Sequence, residues 1–272
     1  MTNPIIAVLR RADIVESQHR GAYAVSDAGG AVIAKAGAYQ EAFFPRSAIK
    51  AFQCLPLIES GAANDLVRAN QKPLAVHNNC SGKHAGMLTL AKHLGASLEG
   101  YVLPGHPVQL VVADCLSRYC GVDVSKAPRG IDGCSVPTWA VPMDKLALAF
   151  AKLCDPANAG ALWIIRAART HPFLIAGTGR FDTKIIQAVP RLFIKLGAEG
   201  VFCGCIPHAG LGFALKCDDG ATRGAEVAVA EMLAHLNVWT DAEKAELEAL
   251  AREPLHNWRK LYVGELQAAL PS

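Results

Sequence analysis

Apolar and polar positions change period twice along the chain. In the first 40 residues the pattern is strand-like: PIIAVLRR (4–11), then GAYAVSD (21–27) and AVIAKAG (31–37) around Ala28-Gly29-Gly30, a turn sequence that predicts a hairpin. Beyond Phe44 the spacing becomes helical. SAIKAFQCLPLIESG (47–61) carries apolar residues at helical intervals and stops at Gly61, and SGKHAGMLTLAKHLG (81–95) repeats the design with Gly95 as its stop. PGHPVQLVVADCLSRYCG (104–121) has proline near its start and glycine at its end, the asymmetry helices prefer. MDKLALAFAKLCD (143–155), AGALWIIRAARTHP (159–172) and FDTKIIQAV (181–189) complete a helical middle. Strand patterns return in EGVFCGCIP (199–207) and LGFALKCDD (211–219). A helix over 220–236, another capped by Thr240, and a last strand in WRKLYVGEL (258–266) follow.

Strands at both termini with helices between predict an α+β fold. The two chain ends, about 1–43 and 190–272, form one antiparallel sheet, and the segment 44–189 packs on one face as a helical lobe. With 272 residues and 51% apolar composition, the chain can bury a full core as a single domain over 1–272. It contains no internal repeat and no low-complexity tract.

Charge narrows the function. The formal net charge is +3, and the 27 basic residues are scattered without a basic run, so no electrostatic footprint for nucleic acid or an anionic membrane is present. A small-molecule substrate is expected. The N-terminal MTNPIIAVLRRADIVES has too short an apolar run for a signal peptide, and no stretch approaches a membrane span, so a cytoplasmic protein is expected. Its nine cysteines are then expected to be thiols, most of them small core residues.

Candidate chemistry starts at FPRSAIKAF (44–52). Positions i and i+3 share a helix face, so the Lys50 amine can reach the Ser47 hydroxyl and, if desolvated, act as its base. The ordinary alternative is that Ser47 caps the helix and Lys50 faces solvent. AVHNNCSGKHAG (75–86) crowds Cys80, Ser81, Lys83 and His84 at a helix start, which suits a nucleophile, a metal ligand or merely a cap over a buried thiol. GIDGCSVPTWAVP (130–142) holds Asp132 and Cys134 in a rigid loop, where the aspartate could equally bond its own backbone. GTGRFD (177–182) precedes RLFIKLGAEG, where Lys195 in an apolar setting reads as an edge-strand or snorkelling lysine. Neither a nucleotide-binding glycine loop nor H-E-x-x-H nor paired C-x-x-C motifs occur.

Taken together, R-S-x-x-K (46–50), N-C-S-G-K-H (79–84), D-G-C-x-x-P-T (132–138), H-P-x-x-x-A-G-x-G-R (171–180), K-L-G-A (195–198) and L-K-x-x-D-G (215–220) resemble the Rhizobium etli-type L-asparaginases. The motifs recur in order across nearly the whole chain. The resemblance implies a serine β-lactamase-like fold, hydrolysis of L-asparagine to aspartate and ammonia, a homodimer and a zinc ion near the active site. It makes Ser47 and Lys50 nucleophile and base, Lys195 a second catalytic lysine and Asp132 the acidic residue beside the site. It assigns zinc to Cys80, Lys83 and Cys134, and substrate contacts to Arg46, Ser81 and His84. One departure stands out: the family's long segment with a Ser-His-Ser motif is absent, and the chain runs directly from Gly61 to His77. With that cover lost, Lys50 is expected to be more exposed and to titrate nearer a free lysine. Two other readings share the S-x-x-K: a β-lactamase-like serine acylase, and a shortened zinc- or amino-acid-binding relative without turnover.

Overall fold

The computed structural model of the chain describes residues 2–59 and 80–271, with backbone only at 57–59. The helix stop at Gly61 and the connection to His77 lie outside the described residues, as does Asn79.

Both chain ends build one antiparallel sheet. Its strands are β1 (Ile5–Arg11), β2 (Ile14–Asp27), β3 (Val32–Ala36), β8 (Phe193–Gly197), β9 (Val201–Ile206), β10 (Leu211–Cys217), β11 (Arg252–His256) and β12 (Tyr262–Ala268). They run in the order β11-β12-β1-β2-β10-β9-β8, with β3 also on β2. The long β2 joins the two halves: β1 pairs with its first part, Ile5 opposite Arg20, and β10 with its second, Cys217 opposite Gly21. Side chains alternate across the sheet as the strand period requires. Ala22, Ala24, Cys203, Cys205 and Ala214 face one core, and Tyr23, Val25, Phe202, Phe213 and Leu215 the other.

The middle of the chain supplies α1 (Lys50–Glu59), α2 (Ser81–His93), α3 (Pro107–Cys120), α4 (Met143–Lys152), α5 (Ala159–Thr170), α6 (Pro172–Ala176) and α7 (Phe181–Ala188). Between these lie two short ribbons, β4 (Ala42–Phe43) with β7 (Val141–Pro142) and β5 (Arg129–Ile131) with β6 (Pro137–Trp139). The face of small residues lets α4 approach the sheet closely. At Gly212 on β10, a Cβ would sit 2.1 Å from the Ala151 nitrogen and 2.2 Å from the Ala147 oxygen. In this layer Phe52 of α1 packs edge-on against Tyr119 at 5.4 Å and Phe150 at 5.0 Å, fixing α1 to α3 and α4.

Two features differ from the pattern-based expectation. Both faces of the sheet are covered, because α7, α8 (Thr222–Ala234) and α9 (Asp241–Leu250) contribute to the second core. The C-terminal segment forms two paired strands, β11 and β12, where one was predicted. The middle lobe is mainly helical as expected, and one of its short ribbons carries the Asp132 loop. Thr240 does cap α9, with Glu243 returning the bond to the Thr240 backbone and also pairing with Arg191. No helix among the described residues is long and apolar enough to cross a membrane.

Gly212→Ala is expected to cost about 1–3 kcal/mol or more, because backbone rather than a flexible side chain opposes the new methyl. Urea unfolding should show a lower midpoint at an unchanged slope.

Candidate active site

Ser47 lies in a single 3-10 turn, Arg46–Ile49, that leads directly into α1. Ala48 and Ile49 are buried, which seats the turn on the core, and the Lys50 N–H donates to the Ser47 carbonyl. Arg46 takes a left-handed φ of 53°, a conformation few non-glycine residues adopt. Edge strand β8 passes beside the turn: a Cβ at Gly197 would lie 2.5 Å from the Pro45 oxygen, so glycine there permits the approach. This places Lys195, on the same strand, in the electrostatic neighbourhood of Lys50. Lys195 is therefore an edge-strand lysine by position and a member of the cluster by environment.

Lys50 is partly buried. Burial lowers the pKa of its amine below the ordinary 10.5, and the neighbouring Lys195 and Lys83 charges lower it further, against an opposing hydrogen bond and charge from Cys80. The near-free titration expected of Lys50 in the shortened chain is thus corrected: the amine titrates below an ordinary lysine. The charged and polar neighbours that act on it come from the start of α2 and from β8.

The remaining members arrive on separate elements. Cys80 immediately precedes α2 and is buried, Ser81 opens the helix, and Lys83 in its first turn has a side chain only 4% exposed. Lys83 Nζ lies 2.8 Å from Cys134 Sγ and 3.9 Å from Asp132 Oδ2. Asp132 sits in the tight β5–β6 turn, where its Oδ1 accepts from the Gly133 N–H at 2.9 Å and from Arg46 Nε at 2.8 Å. Both readings of this aspartate therefore hold: it bonds its own turn and reaches the Ser47 segment. Burial pushes the Asp132 carboxyl up, but the bonds from Arg46 and Gly133 and the Lys83 charge outweigh it and hold it below the usual 3.8. His84 bonds the Tyr101 hydroxyl through Nδ1 at 2.7 Å. Burial, then the charges of Lys83 and Lys50, lower its pKa from 6.5.

Two residues not singled out by sequence complete the surroundings. Tyr101 anchors His84, while its own carbonyl accepts from Gln109. Asp182, wholly buried, accepts from the Leu196 N–H at 2.7 Å and lies 3.5 Å from Lys195 Nζ. Asp182 falls within the GTGRFD stretch, but its role depends on α7 lying beside β8, a long-range contact.

Two thiols and a lysine amine form a donor set that suits a borderline-soft ion such as zinc, provided the amine is neutral. Cys134 and Lys83 already meet, and Cys80 hydrogen-bonds Lys50, which also feels the Lys83 charge, so by donor chemistry these residues fit such an ion. A different compact group, His19, Cys217 and Asp219, has ligand atoms within 4.8 Å of one another. These three bond one another: His19 Nδ1 meets Asp219 Oδ2 at 2.6 Å and the Cys217 thiol donates to Oδ1 at 3.0 Å, while the buried His19 Nε2 has no partner among the described residues. Burial and the adjacent carboxylate push Cys217 up to about 12, so the thiol keeps its proton and the group acts as a strut between β2 and the turn after β10.

Asp132→Asn tests the local electrostatics. A carboxyl depressed on folding contributes stability that is present above its unfolded pKa and lost as pH falls through the folded one. The variant should lose about 1–3 kcal/mol at pH 7, with the difference from wild type shrinking in acid; melting curves at neutral and acidic pH check it.

The model of the L-asparaginase II family matches residues 7–66 and 62–268. None of the curated proteins compared with the chain matches it. Among solved structures, a beta-lactamase from Mycobacterium bovis is similar at 14% identity and a TM-score of 0.46, covering 85% of this chain and 94% of that one. With a family match over most of its length and Ser47, Lys50, Lys83, Asp132 and Cys134 gathered by the fold, the chain belongs to the L-asparaginase II family of amidohydrolases.

Proposed function

We propose that the protein hydrolyses L-asparagine to L-aspartate and ammonia through an ester on Ser47. The observation that carries this reading is Lys50, three residues after the serine, with its amine pushed below the ordinary lysine range by burial and by two neighbouring lysines. A neutral amine there takes the Ser47 proton as the oxygen attacks the side-chain amide carbon. The resulting lysine ammonium returns a proton to the departing nitrogen as the carbon–nitrogen bond breaks, releasing ammonia. Water, deprotonated by the same amine, then cleaves the ester to give aspartate and free Ser47.

Arg46, Ser81 and His84 are assigned to substrate binding, with Asp132 holding the Arg46 guanidinium in place. Lys195, steadied by Asp182, contributes positive charge beside the nucleophile. Cys80, Lys83 and Cys134 are the residues proposed to hold zinc, which when bound would supply a Lewis-acidic contact for the polar end of an amino acid.

An ammonia-release assay on asparagine tests the assignment. Ser47→Ala and Lys50→Met should each lower kcat by about 10³-fold or more with melting temperatures near wild type, since members of one catalytic unit fail together. A Ser47→Ala variant that retains turnover would move the nucleophile to Cys80 or Ser81.

The pH dependence has a definite sign. The reactive free amine grows as pH rises through a lowered pKa, so kcat/KM should climb with pH and level off before 10.5. Lys50→Arg should abolish that limb along with activity.

Metal analysis supplies a separate check: Cys134→Ser should lower zinc occupancy sharply, whereas Cys203→Ser, in the core of the sheet, should leave it unchanged. Equal loss in both variants would contradict the proposed ligand set.

A further inference from the structure

The Lys83–Cys134 pair has chemistry beyond metal binding. Its Nζ and Sγ atoms lie 2.8 Å apart, too far for a sulfur–nitrogen bond but spaced for a single atom between them. Lys83 has almost no room to leave, at 4% side-chain exposure, and Asp132 Oδ2 lies 3.9 Å from both Nζ and Sγ. Cys134 is only partly buried, so a small oxidant can reach its sulfur. By contrast, Cys203 and Cys205 are fully buried, and burial raises both thiols well above 9.0, which makes them inert.

We infer that in the metal-free protein hydrogen peroxide joins Cys134 to Lys83 through one oxygen atom, giving an Sγ–O–Nζ cross-link. The first peroxide oxidises the sulfur by two electrons, converting the thiol to a sulfenic acid and leaving as water. The second takes up two electrons and two hydrogens, one from the sulfenic O–H and one from the amine N–H, as the oxygen–nitrogen bond forms; it leaves as two waters. In total one thiol, one amine and two peroxides give one cross-link and three waters. The linked nitrogen and sulfur are then withdrawn from the donor set, so oxidation blocks metal uptake and reduction by a dithiol restores it.

The test is accurate intact mass and peptide mapping of the metal-free full chain after dilute peroxide, with zinc uptake measured on the same samples. The expected product is heavier by about 14 Da, one oxygen gained and two hydrogens lost, with the tryptic peptides of Lys83 and Cys134 joined. Dithiothreitol should reverse it, and Lys83→Arg and Cys134→Ser, each shown to be folded by its melting curve, should both abolish it.

A gain of about 16 or 32 Da on Cys134 that is equal in Lys83→Arg would mean that the sulfur oxidises without the lysine, overturning the inference. A loss of about 2 Da, from a Cys80–Cys134 disulfide or a direct sulfur–nitrogen bond, would overturn it too. An unmodified chain would do the same. The mass readout does not depend on turnover or on zinc, so a chain that forms the cross-link yet takes up no zinc when reduced would leave the cross-link standing and contradict the metal assignment together with the proposed block of uptake.

Discussion

Three lysine amines, Lys50, Lys83 and Lys195, share one partly buried site, and this crowding is the constraint on which the rest depends. Like charges so placed repel, and burial adds a desolvation cost to each. The site answers with a partner for every amine: Cys80 for Lys50, Cys134 with Asp132 for Lys83, and Asp182 for Lys195. Cys80 opposes the shift at Lys50, but burial and the two lysine charges outweigh it, and the amine titrates below the ordinary range. An amine inclined to lose its proton beside a serine is what amide attack requires.

Each partner comes from a different part of the chain, so the fold itself sets the chemistry. Cys80 and Lys83 enter on α2, Asp132 and Cys134 on the β5–β6 turn, Asp182 on α7 and Lys195 on β8. Only close packing brings these together. The contacts of Phe52 with Tyr119 and Phe150 fix α1, and with it Lys50, against α3 and α4. Gly197 lets β8 pass the Pro45 carbonyl without a side chain between them. The missing Cβ at Gly197 is what lets the Lys195 strand lie against the Ser47 turn, and the one at Gly212 lets α4 lie close on β10.

Much of this was legible in the sequence, for reasons of period and local chemistry. The β2–β3 hairpin, the helices after Phe44 and the Thr240 cap all follow from patterns within a dozen residues. What escaped depends on contacts far apart in sequence. The strand of Lys195 was already readable as an edge, but β11 became visible only through pairing with β12. Covering of both sheet faces was hidden because α8 and α9 look like any amphipathic helices until their partner surface is known. The Lys50 titration was not legible for a related reason: burial and the opposing effects of Lys195, Lys83 and Cys80, groups far apart in sequence, set it, and no local pattern reveals them. Asp132 was recognised as a turn residue and as a site residue, and the structure makes it both.

The central claim is a covalent ester on Ser47 formed with the help of a deprotonated Lys50. The most direct measurement is acid quench of the enzyme during turnover of asparagine, followed by peptide mass mapping. The account predicts an aspartyl group esterified to Ser47 that accumulates on the millisecond scale and disappears when substrate is exhausted. Turnover with unmodified Ser47 and an aspartyl thioester on Cys80 would contradict it.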